Sequence, residues 1–333
     1  MTEESRIVED LFMMGRRSLT DLATDGDNAL YDVAAMVFAM KGEIPNMEIF
    51  KIARRMVGEA KINPAQNVMA NNCVPTAYLA LSDNPDVFLE NVARAYELID
   101  RDIDCHGNDM MIAALFLADQ MQKKVFDETK ATKTSELYRN LKNRFGDNVT
   151  STYLGICALI AMRPQSADEL TEEITQSVTK MIPENKKAFR KEMFRGLVHA
   201  ALVETLDISD ENIPKLSSKL IGKGGLGELT LKGEGMISIL SVFEEALCET
   251  DEEIRNVRTY VRQFWFKIKM STDFGSMHRS VDTLCAVLTF FKFLEDPDLY
   301  RWFELHCRNH SEEETYLVKE VALAIFINSQ ALI

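Results

Sequence analysis

The sequence predicts an all-α fold in which helical hairpins stack pairwise as an α-α superhelix, a HEAT-like solenoid, and three observations predict it. A short run rich in Ala and aliphatics, a break at Pro, Gly or Asp, and a longer amphipathic run keep recurring. The small-residue centres lie near Ala34, Ala77, Ala113, Ala158, Ala200, Ile239, Ala286 and Ala322, so successive units are roughly 36 to 47 residues apart, the range of helical-hairpin repeats. All eight prolines fall in breaks or first turns, where a missing N–H costs a helix nothing. No convincing set of alternating strands appears. The expectation is about seven or eight hairpins forming a single helical-repeat domain over residues 1–333, with one Gly-rich loop insertion at 222–235.

The first helices of several units, YDVAAMVFAMKG, MIAALFLADQ and TYLGICALIAM, are apolar nearly all round, so each is expected to lie sandwiched between neighbours. The second helices are more amphipathic and are expected to line one accessible, concave face. In Asp86–Asp100, Phe88, Leu89, Val92, Tyr96 and Ile99 step by three and four and form one stripe, with Glu90, Asn91, Arg94 and Glu97 opposite. Asp83-Asn84-Pro85 marks its start: a short polar side chain accepts from free amides, and proline fits the first turn. Asp296-Pro297-Asp298 repeats the device. Capping boxes at Ser166–Glu169, Thr250–Glu253 and Ser311–Glu314 announce three more helices.

Residues 222–235 hold six of the fifteen glycines, a density that gives up too much backbone entropy for a helix. The segment reads as a loop, or as a loop with a short extended excursion at Glu228–Lys232. Gly222, Gly224 and Gly227 match a nucleotide-binding glycine pattern in spacing alone, since no strand precedes them and no helix follows. Asp273-Phe274-Gly275 likewise lacks the other parts of a kinase. The acids Asp100, Asp102, Asp104 and Asp109 resemble a calcium loop, but Cys105 stands where the sharp turn wants glycine and the terminal carboxylate is missing. His306 and His310 share a helical face, with no glutamate between them in the zinc-protease arrangement. We therefore assign no catalytic residue, no metal ligand and no cofactor.

One constellation has more chemical content. Arg255, Arg258 and Arg262, at i, i+3 and i+7 of one helix, can grip carboxylates or phosphates bidentately, and Trp265 supplies an apolar anchor next to them. The same arginines can instead pair with acids on neighbouring helices, such as Glu211, with the aromatics in the core. Asp273, His278 and Arg279 cluster in a following turn as possible acid–base and anion-binding groups, or as a polar connection.

The net charge of −14 opposes general attraction to nucleic acid and to anionic lipid surfaces. The acidic N-terminus lacks the plan of a secretory leader, and no window reaches the roughly 18 to 20 apolar residues of a membrane span. Six cysteines without a Cys-x-x-Cys pair read as reduced, mostly buried thiols, and the expected location is cytoplasmic.

Three stretches, LYDVAAMVFAMKG with MEIFKIARRM, YLALSDNPDVFLENVARAYELI, and KMSTDFGSMHRSVDTLCAVLTFF, resemble a family of uncharacterised bacterial proteins catalogued only as a domain of unknown function. The resemblance spans most of the chain. It implies an all-helical fold and a bacterial cytoplasmic setting, and it carries over no catalytic residue. The functional expectation is a scaffold that binds a protein or peptide on its concave face through Arg255, Arg258, Arg262, Trp265, Asp273, His278 and Arg279. The alternative is an enzyme with a site near the 222–235 loop or the 273–279 turn. The sequence leaves the oligomeric state open.

Overall fold

The apolar runs of the sequence become short helices with almost no exposed face. The structure, a computed structural model, describes residues 8–20, 28–60, 73–103, 107–122, 125–181, 251–270, 281–295 and 312–331. Among the described residues there are 12 α-helices and no strand, so the fold is all-α. They are α1 (Val8–Thr20), α2 (Asn28–Met40), α3 (Met47–Glu59), α4 (Cys73–Ala80), α5 (Pro85–Asp102), α6 (Asn108–Gln120), α7 (Glu128–Phe145), α8 (Leu154–Ile160), α9 (Ala167–Met181), α10 (Asp251–Met270), α11 (Val281–Glu295) and α12 (Glu312–Ala331). Two short 3-10 turns, Gly146–Asn148 and Ser151–Tyr153, lead from α7 into α8.

Contacts group the chain into two compact units, Met1–Arg144 with Val149–Ala167, and Phe145–Asn148 with Asp168–Ile333. In the first unit the apolar helices pack in succession: α2 on α4, α4 on α6, and α6 on α8. Every residue of α8 is buried, as are the middles of α2 and α6. Small side chains allow this close layering. A Cβ added at Gly155 of α8 would lie 3.1 Å from Phe116 and 3.2 Å from Ile112 of α6. The amphipathic helices attach outside, α1 on α2, α3 on α4 and α5 on α6. The sequence suggested hairpins of an apolar helix followed by an amphipathic one. The closer packing of α1 on α2, α3 on α4 and α5 on α6 joins each apolar helix to the amphipathic helix before it, because the stripe of the earlier helix is the one turned onto it.

The direction of the inner helices follows from polar contacts at their ends. Lys41, just past α2, bonds Asp119 at the end of α6 and lies over the ring of Tyr78 in the last turn of α4, 5.8 Å from its centroid. The C-terminal ends of α2, α4 and α6 therefore lie together. At the opposite end, Ser151 Oγ donates to Asp109 Oδ2 at 2.5 Å, joining the entry to α8 with the first turn of α6. The inner helices thus run parallel. Lys130 and Lys133, at the start of α7, donate to the carbonyls of Met162 and Arg163 beyond α8, so that cations meet the carbonyls at the C-terminal end of α8 and α7 runs in the opposite direction to α8.

Local signals act as the sequence predicts where they are described. Asn84 caps α5, its side chain accepting from the Val87 amide at 3.4 Å, and Pro85 occupies the first position. Phe88, Val92, Tyr96 and Ile99 are buried and Glu90 and Glu97 are exposed. Ser166 directly precedes α9. At the end of α2, Gly42 adopts φ 74°, with its amide bonding Ala39 O and the Glu43 amide bonding Phe38 O, both at 3.0 Å. This left-handed stop, one residue after Lys41, ends the helix at Met40 and fixes where that ammonium emerges.

In the second unit α10 packs on α11, and α11 on α12. Val257, Val261, Phe264 and Ile268 form the buried stripe of α10 against an α11 whose run from Leu284 to Phe291 is wholly buried.

Candidate functional site

Helix α10 carries four of the seven residues singled out from the sequence, and its geometry separates them clearly. Arg262 and Trp265 are half-buried on its flanks. The backbone puts positions 255 and 258 on the helical register of Arg262, on the side away from Val257, Val261, Phe264 and Ile268. The side chains of Arg255 and Arg258 lie outside the described residues. Asp273, His278 and Arg279 lie outside them too, as do the 222–235 loop and all five histidines. Arg262 makes no ion pair with any described carboxylate.

The register of Arg262 continues into two residues the sequence reading left aside. Phe266 is 56% exposed and Met270 82% exposed, at i+4 and i+8 from Arg262. Trp265 meets Phe266 edge to face, ring centroids 5.4 Å apart, an arrangement in which the positive edge of one ring approaches the negative face of the other. The signal that could have found them is the Phe264-Trp265-Phe266 triplet. Three consecutive aromatics on a helix span about 200° of its circumference, so they cannot all face the core. Phe264 does, and Phe266 therefore does not.

The opposite side of α10 is firmly seated. Lys292 of α11 sits over the ring of Tyr260 at 4.3 Å and near that of Phe264 at 5.9 Å, and half-burial strengthens such a contact. The protruding apolar pair thus belongs to a helix already anchored by its other face.

Two buried ion pairs in the first unit were missed by the sequence reading. Arg16 of α1 donates through Nε to Asp32 of α2 and through Nη1 to Thr20, and its guanidinium lies 5.8 Å from the centroid of the Tyr31 ring. Lys41 and Asp119 form the second pair, with Gln122 also donating to Asp119. Cys73, at the start of α4, is pushed up to about 12 by burial, an effect that outweighs the opposing fields of Arg54 and Arg16. Burial also pushes Cys157 and Tyr153 up. These thiols are protonated at neutral pH and are poor nucleophiles. Among the described residues no group of three His, Cys, Asp or Glu side chains could hold a metal ion. No described helix is long and apolar enough to cross a membrane.

No family model, no curated protein and no solved structure matches this chain.

Proposed function

We propose that the chain is a helical-repeat scaffold, its hairpins stacked in the manner of an α-α superhelix, that binds a protein or peptide through the outer face of α10. The parallel run of α2, α4, α6 and α8 supports the repeat reading, since stacked hairpins place equivalent helices side by side in one direction. A cytoplasmic, bacterial setting and a binding role without catalysis complete the reading.

The observation that carries the binding surface is the exposure of Phe266 and Met270 in register with Arg262. Large apolar side chains next to a guanidinium that pairs with no described carboxylate match the composition of interface anchors, where an aromatic fills a pocket and an arginine engages a carboxylate. The chain's net charge of −14 disfavours a phosphate backbone as the ligand. Selection of displayed random peptides on the intact chain tests this. Peptides that bind the wild type are expected to lose about tenfold or more in affinity with Phe266→Ser/Met270→Ser, the scale of losing one interface anchor. Equal binding to that variant, its helical content unchanged, would remove the α10 face.

A further inference from the structure

Helix α3 presents a second surface of a different kind. Its buried stripe, Phe50, Ala53 and Val57, packs on α4. Away from that stripe Ile49 is 48% exposed and Ile52 50% exposed, and half-buried Met56 continues their line at i+3 and i+7. On one side of this line Lys51 and Arg55 stand one turn apart and exposed, and Arg54 is half-buried beyond them, where that side meets the buried stripe. None of the three cations pairs with a described carboxylate. The helix's acids, Glu48 and Glu59, sit at its two ends, leaving the middle positive in a chain of net charge −14.

We propose that this face of α3 docks an acidic amphipathic helix of a partner protein. Apolar positions at i, i+3 and i+7 fit the ridge of another helix, whose anchors recur at the same spacing, and the cations along one side of the line select carboxylates on the matching side of those anchors. The charge pattern turns away two other occupants. A twofold pairing of α3 with α3 of a second copy would set Lys51 and Arg55 against their own kind. A membrane surface needs a broad apolar face sunk among the headgroups, and the broad apolar face of α3 is already spent on α4. This assignment does not rest on α10, and either can fail alone.

The test uses the intact chain and a displayed library of helical peptides carrying Leu at i, i+3 and i+7, with flanking positions varied between Glu, Gln and Lys. Selection is expected to enrich Glu on one flank of the anchors. The selected peptides should lose about tenfold in affinity with Lys51→Glu/Arg55→Glu and, separately, with Ile52→Asp, while keeping their affinity for Phe266→Ser/Met270→Ser. Circular dichroism on each variant confirms that the fold is intact; if Ile52→Asp unfolds, the charge-reversal pair alone decides. Enrichment of neutral or basic peptides, no selectable peptide, undiminished binding to the charge-reversed chain, or loss only with the α10 variant would overturn the proposal. Two further results would overturn it in favour of another occupant. One is dimerisation abolished by Ile52→Asp, and the other is cosedimentation with phosphatidylserine vesicles abolished by Lys51→Glu/Arg55→Glu.

Discussion

The Lys41 ammonium and the Asp119 carboxylate, 78 residues apart in the chain, meet at 2.5 Å where three parallel helices of the inner layer end. Asp119's side chain is only 1% exposed and that of Lys41 19%, so the carboxylate has given up its water for partners that include this ammonium and the Gln122 amide. Removing one partner leaves a desolvated charge. We expect Lys41→Met to lower the unfolding free energy by about 3 kcal/mol, the lower end of what breaking a buried pair costs, because the ammonium retains some contact with water. Lys41→Met/Asp119→Leu should recover most of that loss, which urea titration of the single and double variants would measure.

Cys73 couples the first unit to pH. Its thiol is raised from 9.0 to about 12 by burial, so the folded state holds the proton over a range where the unfolded chain releases it. The stabilisation is complete below pH 9.0 and is lost as the pH rises toward about 12. We expect wild type to lose more stability between pH 8 and 10.5 than Cys73→Ala, whose comparison cancels the like-signed contributions of Cys157 and Tyr153. Denaturant midpoints at the two pH values decide it, and equal slopes with pH would place the thiol in contact with water.

The helical class, the buried apolar helices and the start of α5 were all readable from the sequence because each depends on residues within a turn or two. Asn84 and Pro85 need only the amides that follow them. The inner layer's polar fastenings were not readable as pairs, because Asp119's partner stands far away along the chain and only the packing of α2, α4 and α6 brings it near. A trace was present nonetheless. Asp32 in α2 and Asp119 near the end of α6 each follow or interrupt an apolar run, and a buried carboxylate there must find a cation or forgo its charge. The hairpin pairing was hidden for a related reason: periodicity locates the apolar stripe of α3 but does not say whether the apolar helix before or after it receives that stripe. The candidate surface was half legible. Spacing located the arginines of α10, while the outward turn of Phe266 emerged only once Phe264 was seen to fill the core.

Gly155 tests how closely the inner layer is set. A methyl group at this position would reach 3.1 Å from Phe116 and 3.2 Å from Ile112, closer than side chains ordinarily approach. Alanine improves helix propensity by roughly 1 kcal/mol, which offsets a small adjustment of the Phe116 ring. A leucine has no such remedy in a layer whose neighbours are fully buried. We expect Gly155→Ala to change stability by less than about 1 kcal/mol and Gly155→Leu to lower it by about 2 kcal/mol, as overpacking does. Thermal and urea unfolding of the two variants would check the contrast.

Phe264 and Phe266 are two residues apart on α10 and should respond oppositely to truncation. Phe264 is 2% exposed, lies within reach of the Lys292 ammonium and belongs to the stripe that seats α10 on α11. Replacing it with alanine opens a cavity and is expected to cost about 3 to 5 kcal/mol. Phe266 is 56% exposed and turned to the other side, so Phe266→Ala should change stability by no more than about 0.5 kcal/mol. Selection for folding alone has little reason to keep a large apolar side chain at such a position, whereas a binding partner that buries the ring does. Measuring unfolding and peptide affinity on both variants separates the two roles: Phe264→Ala should weaken the fold, and Phe266→Ala should weaken binding while the fold stands. A comparable loss of stability in both would return Phe266 to the core and with it the surface argued for α10.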